Sequence, residues 1–165
     1  MPPAVQSLVP TMGSWPVDWF VLGLVMVAAA IDAFRGGTRR AAVFSLAAPL
    51  AVFVYAALPK TAFLARAVAK LETPALQAAL FAVILVILCI LLYRIVPASF
   101  GSGALPMQGL AAGLAVTIVL AVVWLQIPAL ISLFAPSQVV QMVFGQTYAI
   151  FWLLVAYGAL AFVRR

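Results

Sequence analysis

The sequence alternates between long apolar runs and short polar breaks. Five runs read as membrane-spanning helices, at 17–34, 41–58, 75–93, 108–125 and 148–163. An α-helix rises 1.5 Å per residue, so about 20 apolar residues cross the hydrocarbon core of a bilayer. The last run has only about 16 residues, just below the usual length of a span. The pattern therefore predicts four to five transmembrane helices.

Two of the breaks are typical of the membrane interface. In 60–73 the apolar residues share one helical face and Arg66 and Lys70 another, which indicates an amphipathic helix on the membrane surface or, equally well, a solvated connector. Segment 127–146 has too many prolines and polar residues to span, so we interpret it as interfacial or re-entrant. The predicted fold is all-α, a polytopic helical membrane bundle with one or two interfacial amphipathic helices, in a single domain over 1–165.

The break between the first two runs is short, glycine-rich and basic. Glycine favours the left-handed conformation that ends a helix, and the hydroxyl of Thr38 is a candidate cap for the next one. Asp32 lies three residues before Arg35, so the two side chains can pair on one helix face. This is either a plain capped turn or a binding element, and its candidate residues are Asp32, Arg35, Gly36, Gly37, Arg39 and Arg40.

A few residues inside the apolar runs indicate helix packing. Pro49 removes one backbone hydrogen bond, and in a membrane the freed carbonyl needs a donor, for which the Ser45 hydroxyl is a candidate. Whether Pro49 forms a kink or a hinge stays open. Gly109 and Gly113 have the spacing of a close helix contact. Asp18 lies in the first turn of the first helix, where the helix dipole favours a carboxylate.

Composition supports a membrane protein. The chain has 165 residues, of which 68% are hydrophobic and 7% charged, whereas soluble domains carry about 25% charged residues. A soluble enzyme and a disordered chain are both excluded. The net charge of +6 is spread in short groups between the apolar runs, so we expect contacts with anionic lipid head groups rather than with nucleic acid. Other membrane proteins, or a second copy of the chain, are further expected partners.

Few residues are suited to catalysis. The chain has no histidine and one cysteine, Cys89. Asp18 and Asp32 would lie at opposite ends of one helix, about 21 Å apart. No phosphate-binding loop or nucleophile elbow is present. We expect no enzyme activity, no catalytic residue, no metal and no cofactor.

The distribution of basic residues predicts an orientation. With five spans, six Lys or Arg residues fall on one side and three on the other, and the richer side is expected to be cytoplasmic. The N-terminus would then lie outside and the C-terminus inside. The six are Arg35, Arg39, Arg40, Arg94, Arg164 and Arg165, and the three are Lys60, Arg66 and Lys70.

The first two helices carry a recognisable pattern. Val17-Asp18 opens the first helix, Arg35-Gly36 follows, and then come Arg39-Arg40-Ala41 and Ser45-Leu46. This pattern resembles the N-terminal half of the colicin V production protein family of bacterial inner-membrane proteins. The likeness covers about 17–93, and the order of elements continues to about 125.

The chain also departs from that family. Arg40 stands where the family often has Glu, 101–108 lacks the Asp-Arg pair often found before helix four, and the last apolar run is longer than the family's usual polar tail. The resemblance implies a small inner-membrane protein required for colicin V production or export, or for envelope function. It makes Asp18, Arg35, Gly36 and Arg39 structural signature residues.

Two functional hypotheses follow. The first is an accessory or scaffold protein of toxin secretion or of the envelope. The alternative is a subunit of an oligomeric pore or transporter, which Pro49, the small-residue faces and the broken segment after Ile127 favour. Binding of lipid surfaces by the basic segments is compatible with either.

Overall fold

The computed structural model describes residues 17–61, 71, 73–96 and 106–163. All regular secondary structure in these ranges is helical, which confirms the predicted all-α class. The helices are α1 Val17–Gly36, α2 Arg39–Ala57 with a 3-10 turn Leu58–Lys60, α3 Pro74–Ile95, α4 Pro106–Gln126, α5 Pro128–Leu133, α6 Gln138–Phe144 and α7 Ala149–Val163.

Four of these helices, α1 to α4, are long and apolar enough to cross a membrane. The last apolar run differs from the first four because α7 has only 15 residues. It reaches the length of a span only together with α6, and the two helices meet at an angle of 71°. The bundle therefore has four continuous spans, and a fifth only if this bent pair is counted as one.

The α1–α2 turn contains one predicted cap and lacks another. Gly37 has φ 79°, the left-handed conformation expected where α1 ends. Thr38 makes no side-chain cap. An N-cap side chain bonds the helix when its backbone is extended, but Thr38 is already helical at φ −72° and ψ −7°. Its carbonyl instead accepts the Ala42 N–H at 3.0 Å.

Helix α4 lies at the centre of the bundle, packed against α1, α2 and α7. About two thirds of its span, 67%, is buried inside the protein, against 6% for α3. Ala112, Ala115 and Ala121 are fully buried, because small side chains let neighbouring helices approach closely where lipid supplies no hydrophobic driving force.

Helix α3 lies at the edge of the bundle, against α2 and α5. Phe81 is the buried residue of this helix, and its ring meets Tyr55 of α2 edge-on. The outer face, with Val83, Val86 and Ile87, is more than half exposed. In a bilayer this face is suited to acyl chains or to another transmembrane helix.

Only one of the two predicted interfacial segments can be compared with the structure. The amphipathic stretch at 60–73 lies largely outside the described residues. Segment 127–146 forms α5 and α6, which do not lie free on a surface, because Ile127 and Val140 are fully buried. The indole N–H groups of Trp124 and Trp152 donate to Phe134 O at 3.1 Å and Val143 O at 2.7 Å and hold these short helices against α4 and α7.

The contact between α1 and α4 depends on the absence of side chains at Gly109 and Gly113. A Cβ on Gly113 would lie 2.8 Å from Met26 O and 3.0 Å from Ala30, and a Cβ on Gly109 would lie 2.5 Å from the Phe34 ring. At Gly113 the backbone of α1 leaves no room for a methyl group, and at Gly109 the Phe34 ring occupies the space that a methyl group would need.

We therefore expect Gly113→Ala to lower the stability of the bundle by about 1–3 kcal/mol, because the methyl group meets the rigid backbone of α1. Thermal unfolding of the purified protein in detergent measures this. Gly158→Ala is the matched control, since a Cβ at Gly158 meets nothing within 4 Å and alanine favours the helix. Equal melting temperatures for the two variants would contradict the close approach of α1 and α4.

Candidate functional site

The end of α1, the start of α2 and the end of α3 meet at one end of the bundle, here called the basic end. Arg39 joins them. Its Nε donates to Val96 O at 3.1 Å, its Nη2 donates to Tyr93 O, and its guanidinium carbon lies 4.1 Å from the centre of the Tyr93 ring. The last carbonyls of a helix have no partner within the helix and attract positive charge. Arg39 thus fastens the C-terminus of α3 to the α1–α2 turn.

The acidic residue at this end pairs with a different arginine from the one predicted. Asp32 Oδ1 accepts a hydrogen bond from Arg40 Nη1 at 3.1 Å, and the two side chains are 49% and 60% exposed. The predicted Arg35 pair is replaced because the turn at Gly37 brings the first turn of α2 beside the last turns of α1. Arg35 itself is exposed.

A groove of about 710 Å³ opens beside this ion pair. Residues of α1, α2 and α3 form its walls, and α4 contributes Val116. Asp32, Arg40 and Arg94 line its polar part, and Phe44, Ile90 and Val116 are among the residues of its apolar part. The groove is amphipathic, with charge at the end of the spans and hydrocarbon towards their middle.

Asp18 acts at the opposite end of the bundle. Its Oδ2 accepts the backbone N–H of Ser137 at 2.5 Å. Ser137 is the N-cap of α6, and its hydroxyl accepts the Val140 N–H at 3.4 Å. The sequence predicts Asp18 in the first turn of α1. The structure shows in addition that its carboxylate connects α1 to the segment before α6. Next to it, Phe144 packs between Trp19 and Trp152, with ring centres 6.4 and 5.0 Å away.

A third side chain, Tyr157 of α7, stabilises α2 at its proline. Pro49 lacks the N–H that would bond the carbonyl of Ser45 four residues earlier. That carbonyl accepts the Tyr157 hydroxyl at 3.3 Å. The Ser45 hydroxyl, the candidate donor that the sequence offers, does not fill this role: it is buried and has no hydrogen-bond partner among the described residues. A tyrosine in an apolar helix was the available signal, since a buried phenol needs a partner.

The predicted residues thus fall into separate places. Arg39, Arg40 and Asp32 meet at the basic end, Asp18 lies at the other end, and Gly109 and Gly113 form the α1–α4 contact. The described residues contain no group of three or more His, Cys, Asp or Glu that could hold a metal ion. Sequence reasoning missed Tyr93 and the groove itself, because both depend on which helices become neighbours.

Comparison with protein-family models, with curated proteins and with solved structures gives no match to this chain.

We expect Tyr157→Phe to destabilise the bundle by about 0.5–1.5 kcal/mol, the usual net worth of one hydrogen bond, because the Ser45 carbonyl then loses its donor. The measurement is denaturant unfolding in detergent. In a Pro49→Ala background the same change is expected to cost less, because residue 49 then supplies an N–H to that carbonyl. An equal cost in both backgrounds would contradict this role of Tyr157.

Proposed function

We propose that this chain is a multi-pass protein of the bacterial cytoplasmic membrane and acts as an accessory or scaffold of the colicin V production type. The observation that carries the proposal is the use of the signature residues. Asp18 and Arg39 each join elements that are far apart in the sequence, Asp18 to Ser137 and Arg39 to Val96. Their role in the bundle is to hold helix ends together.

This use of charge suits a scaffold. An enzyme needs reactive groups that converge on a substrate, whereas here the two acids of α1 bond at opposite ends of the bundle. The hydrogen bonds of these two acids hold helix ends in fixed relative positions. The basic end, with its groove, is the surface that such a scaffold would offer to a partner.

The proposed orientation follows from the charges. Arg35, Arg39, Arg40 and Arg94 lie at the basic end, and Lys60 lies at the far end of α2. Cytoplasmic ends carry the excess of Lys and Arg, so the basic end would face the cytoplasm, with the start of α1 outside. The proposed partners are anionic lipid head groups and other membrane proteins or a second copy of the chain, which the exposed face of α3 could accept.

One observation favours a second function. The groove continues from the basic end into the apolar part of the bundle, and only 6% of the span of α3, which forms one of its walls, is buried inside the protein. A second copy of the chain packed on α3 could extend this groove into a path for solutes across the membrane. The alternative proposal is therefore a subunit of an oligomeric pore or transporter.

Complementation tests the first proposal. In a colicin V-producing strain deleted for its own production protein, we expect this chain to restore the inhibition zone on sensitive cells. Arg39→Lys keeps the charge but loses the guanidinium fork that bonds two carbonyls at the end of α3. If this weakens the attachment of α3 to the α1–α2 turn by roughly 1.4 kcal/mol, we expect the restored toxin activity to fall about tenfold. The control is Lys60→Arg, which keeps the charge at the opposite end.

The amount and orientation of each variant in the inner membrane are measured in parallel. A chain that inserts correctly at normal levels and restores nothing would contradict the accessory role. Flux of small solutes through reconstituted vesicles, together with an oligomeric mass, would support the alternative. A monomer without flux would remove it.

A further inference from the structure

We propose that the groove at the basic end is a binding site for one anionic phospholipid, with the phosphate at Arg40 and Arg94 and one acyl chain along the apolar part. The inference deepens the proposed function, since it rests on the membrane placement given there. It does not depend on a role in colicin V production.

The charge of the groove favours an anion. Arg40 and Arg94 contribute two guanidinium groups to its lining and Asp32 one carboxylate, which leaves one positive charge in excess. Arg39 lies beside them, and its two hydrogen-bond acceptors are uncharged carbonyls, so no carboxylate among the described residues neutralises its charge. Basic pockets between transmembrane helices are a recognised form of head-group site.

The apolar part of the groove fits the first part of an acyl chain. The lining covers 40–44 on α2 and 89–94 on α3, and four to five helical steps rise about 6–8 Å. Phe44, Ile90 and Val116 make this part apolar. The groove therefore receives the first methylenes of a chain whose remainder can lie along the exposed apolar surface of α3.

The position of Tyr93 places the opening of the groove at head-group level. Tyr93 and Arg94 lie in the last turn of α3, and tyrosine and arginine are typical anchors at the membrane interface. Tyr93 is held in place by the stacked Arg39 guanidinium. One turn deeper, the lining is Cys89 and Ile90, on the side of α3 that faces the groove.

The Asp32–Arg40 pair gives the proposal a distinctive consequence. Arg40 is already bonded to a carboxylate, so a lipid phosphate at this position competes with Asp32 for the same guanidinium. Neutralising Asp32 must then strengthen binding of the lipid, whereas neutralising Arg40 must weaken it. A general loss of fold would not produce opposite effects from the two partners of one ion pair.

The test uses the full chain, purified in detergent and mixed with equal amounts of phosphatidylglycerol and phosphatidylcholine that carry identical acyl chains. Native mass spectrometry measures the ratio of the two lipids in the complex with one lipid bound. We expect the wild type to retain phosphatidylglycerol preferentially. Arg40→Gln and Arg94→Gln are each expected to lower the ratio about fivefold, which is the roughly 1 kcal/mol that one arginine contributes near an anionic surface.

Asp32→Asn is expected to raise that ratio by a similar factor. Arg35→Gln is the matched control, because it removes a charge from the same end of the bundle outside the groove lining, and it is expected to leave the ratio unchanged within about twofold. Ile90→Trp narrows the groove at an exposed position without changing any charge, and it should reduce retention of both lipids.

Three results of the lipid competition would overturn the proposal, and a fourth concerns the oligomeric state. These are equal retention of the two lipids by the wild type, a fall with Arg35→Gln as large as that with Arg40→Gln, and no increase with Asp32→Asn. A dimer that carries no lipid would assign the groove to a second copy and would also overturn it. Because these readouts need no toxin, failure here is separable from failure of the complementation experiment.

Discussion

The structure depends on one constraint, that backbone polar groups in an apolar solvent must find partners within the protein. Regular helices satisfy most of them, and side chains serve several of the exceptions. Tyr157 donates to the carbonyl that Pro49 leaves free, and Arg39 donates to carbonyls at the end of α3. Asp18 accepts the N–H of Ser137 before α6. Each of these bonds also joins two helical elements, so the same polar groups determine which helices are neighbours.

Packing of small residues completes this arrangement. Lipid tails are as apolar as the helix surfaces, so close van der Waals contact rather than exclusion from water drives association. Alanines and glycines of α4 let α1, α2 and α7 approach one central helix. Helix α3 lacks such neighbours on its outer side and is held instead by α2, α5 and Arg39. The groove lies beside this less enclosed helix.

The sequence predicted the elements that depend on local pattern. Four spans, the all-α class and the left-handed glycine at the first turn follow from hydropathy and from the conformational freedom of glycine. Contacts between distant segments were not predictable in the same way. Asp32 was expected to pair with Arg35 three residues on, but the reversal of the chain at Gly37 brings Arg40 closer. The carbonyl freed by Pro49 was recognised, yet its donor lies more than one hundred residues away, at Tyr157.

The last apolar run shows a further limit of pattern reading. Its composition is that of a span, but α7 starts at Ala149, and the chain bends by 71° before it. Hydropathy reports how apolar a segment is and not where a helix axis points. The same limit applies to the groove, whose lining comes from four helices and has no counterpart in any single stretch of sequence.

The central proposal is that α2 and α3 cross a membrane with the basic end facing the cytoplasm. Thr61, after α2, and Ile95, at the end of α3, are both exposed and mark the two sides. In a Cys89→Ser background, Thr61→Cys and Ile95→Cys are treated with a membrane-impermeant maleimide on intact bacterial cells. The account predicts labelling of Thr61→Cys alone on intact cells and of Ile95→Cys alone on inverted vesicles. Labelling of both positions from the same side would contradict it.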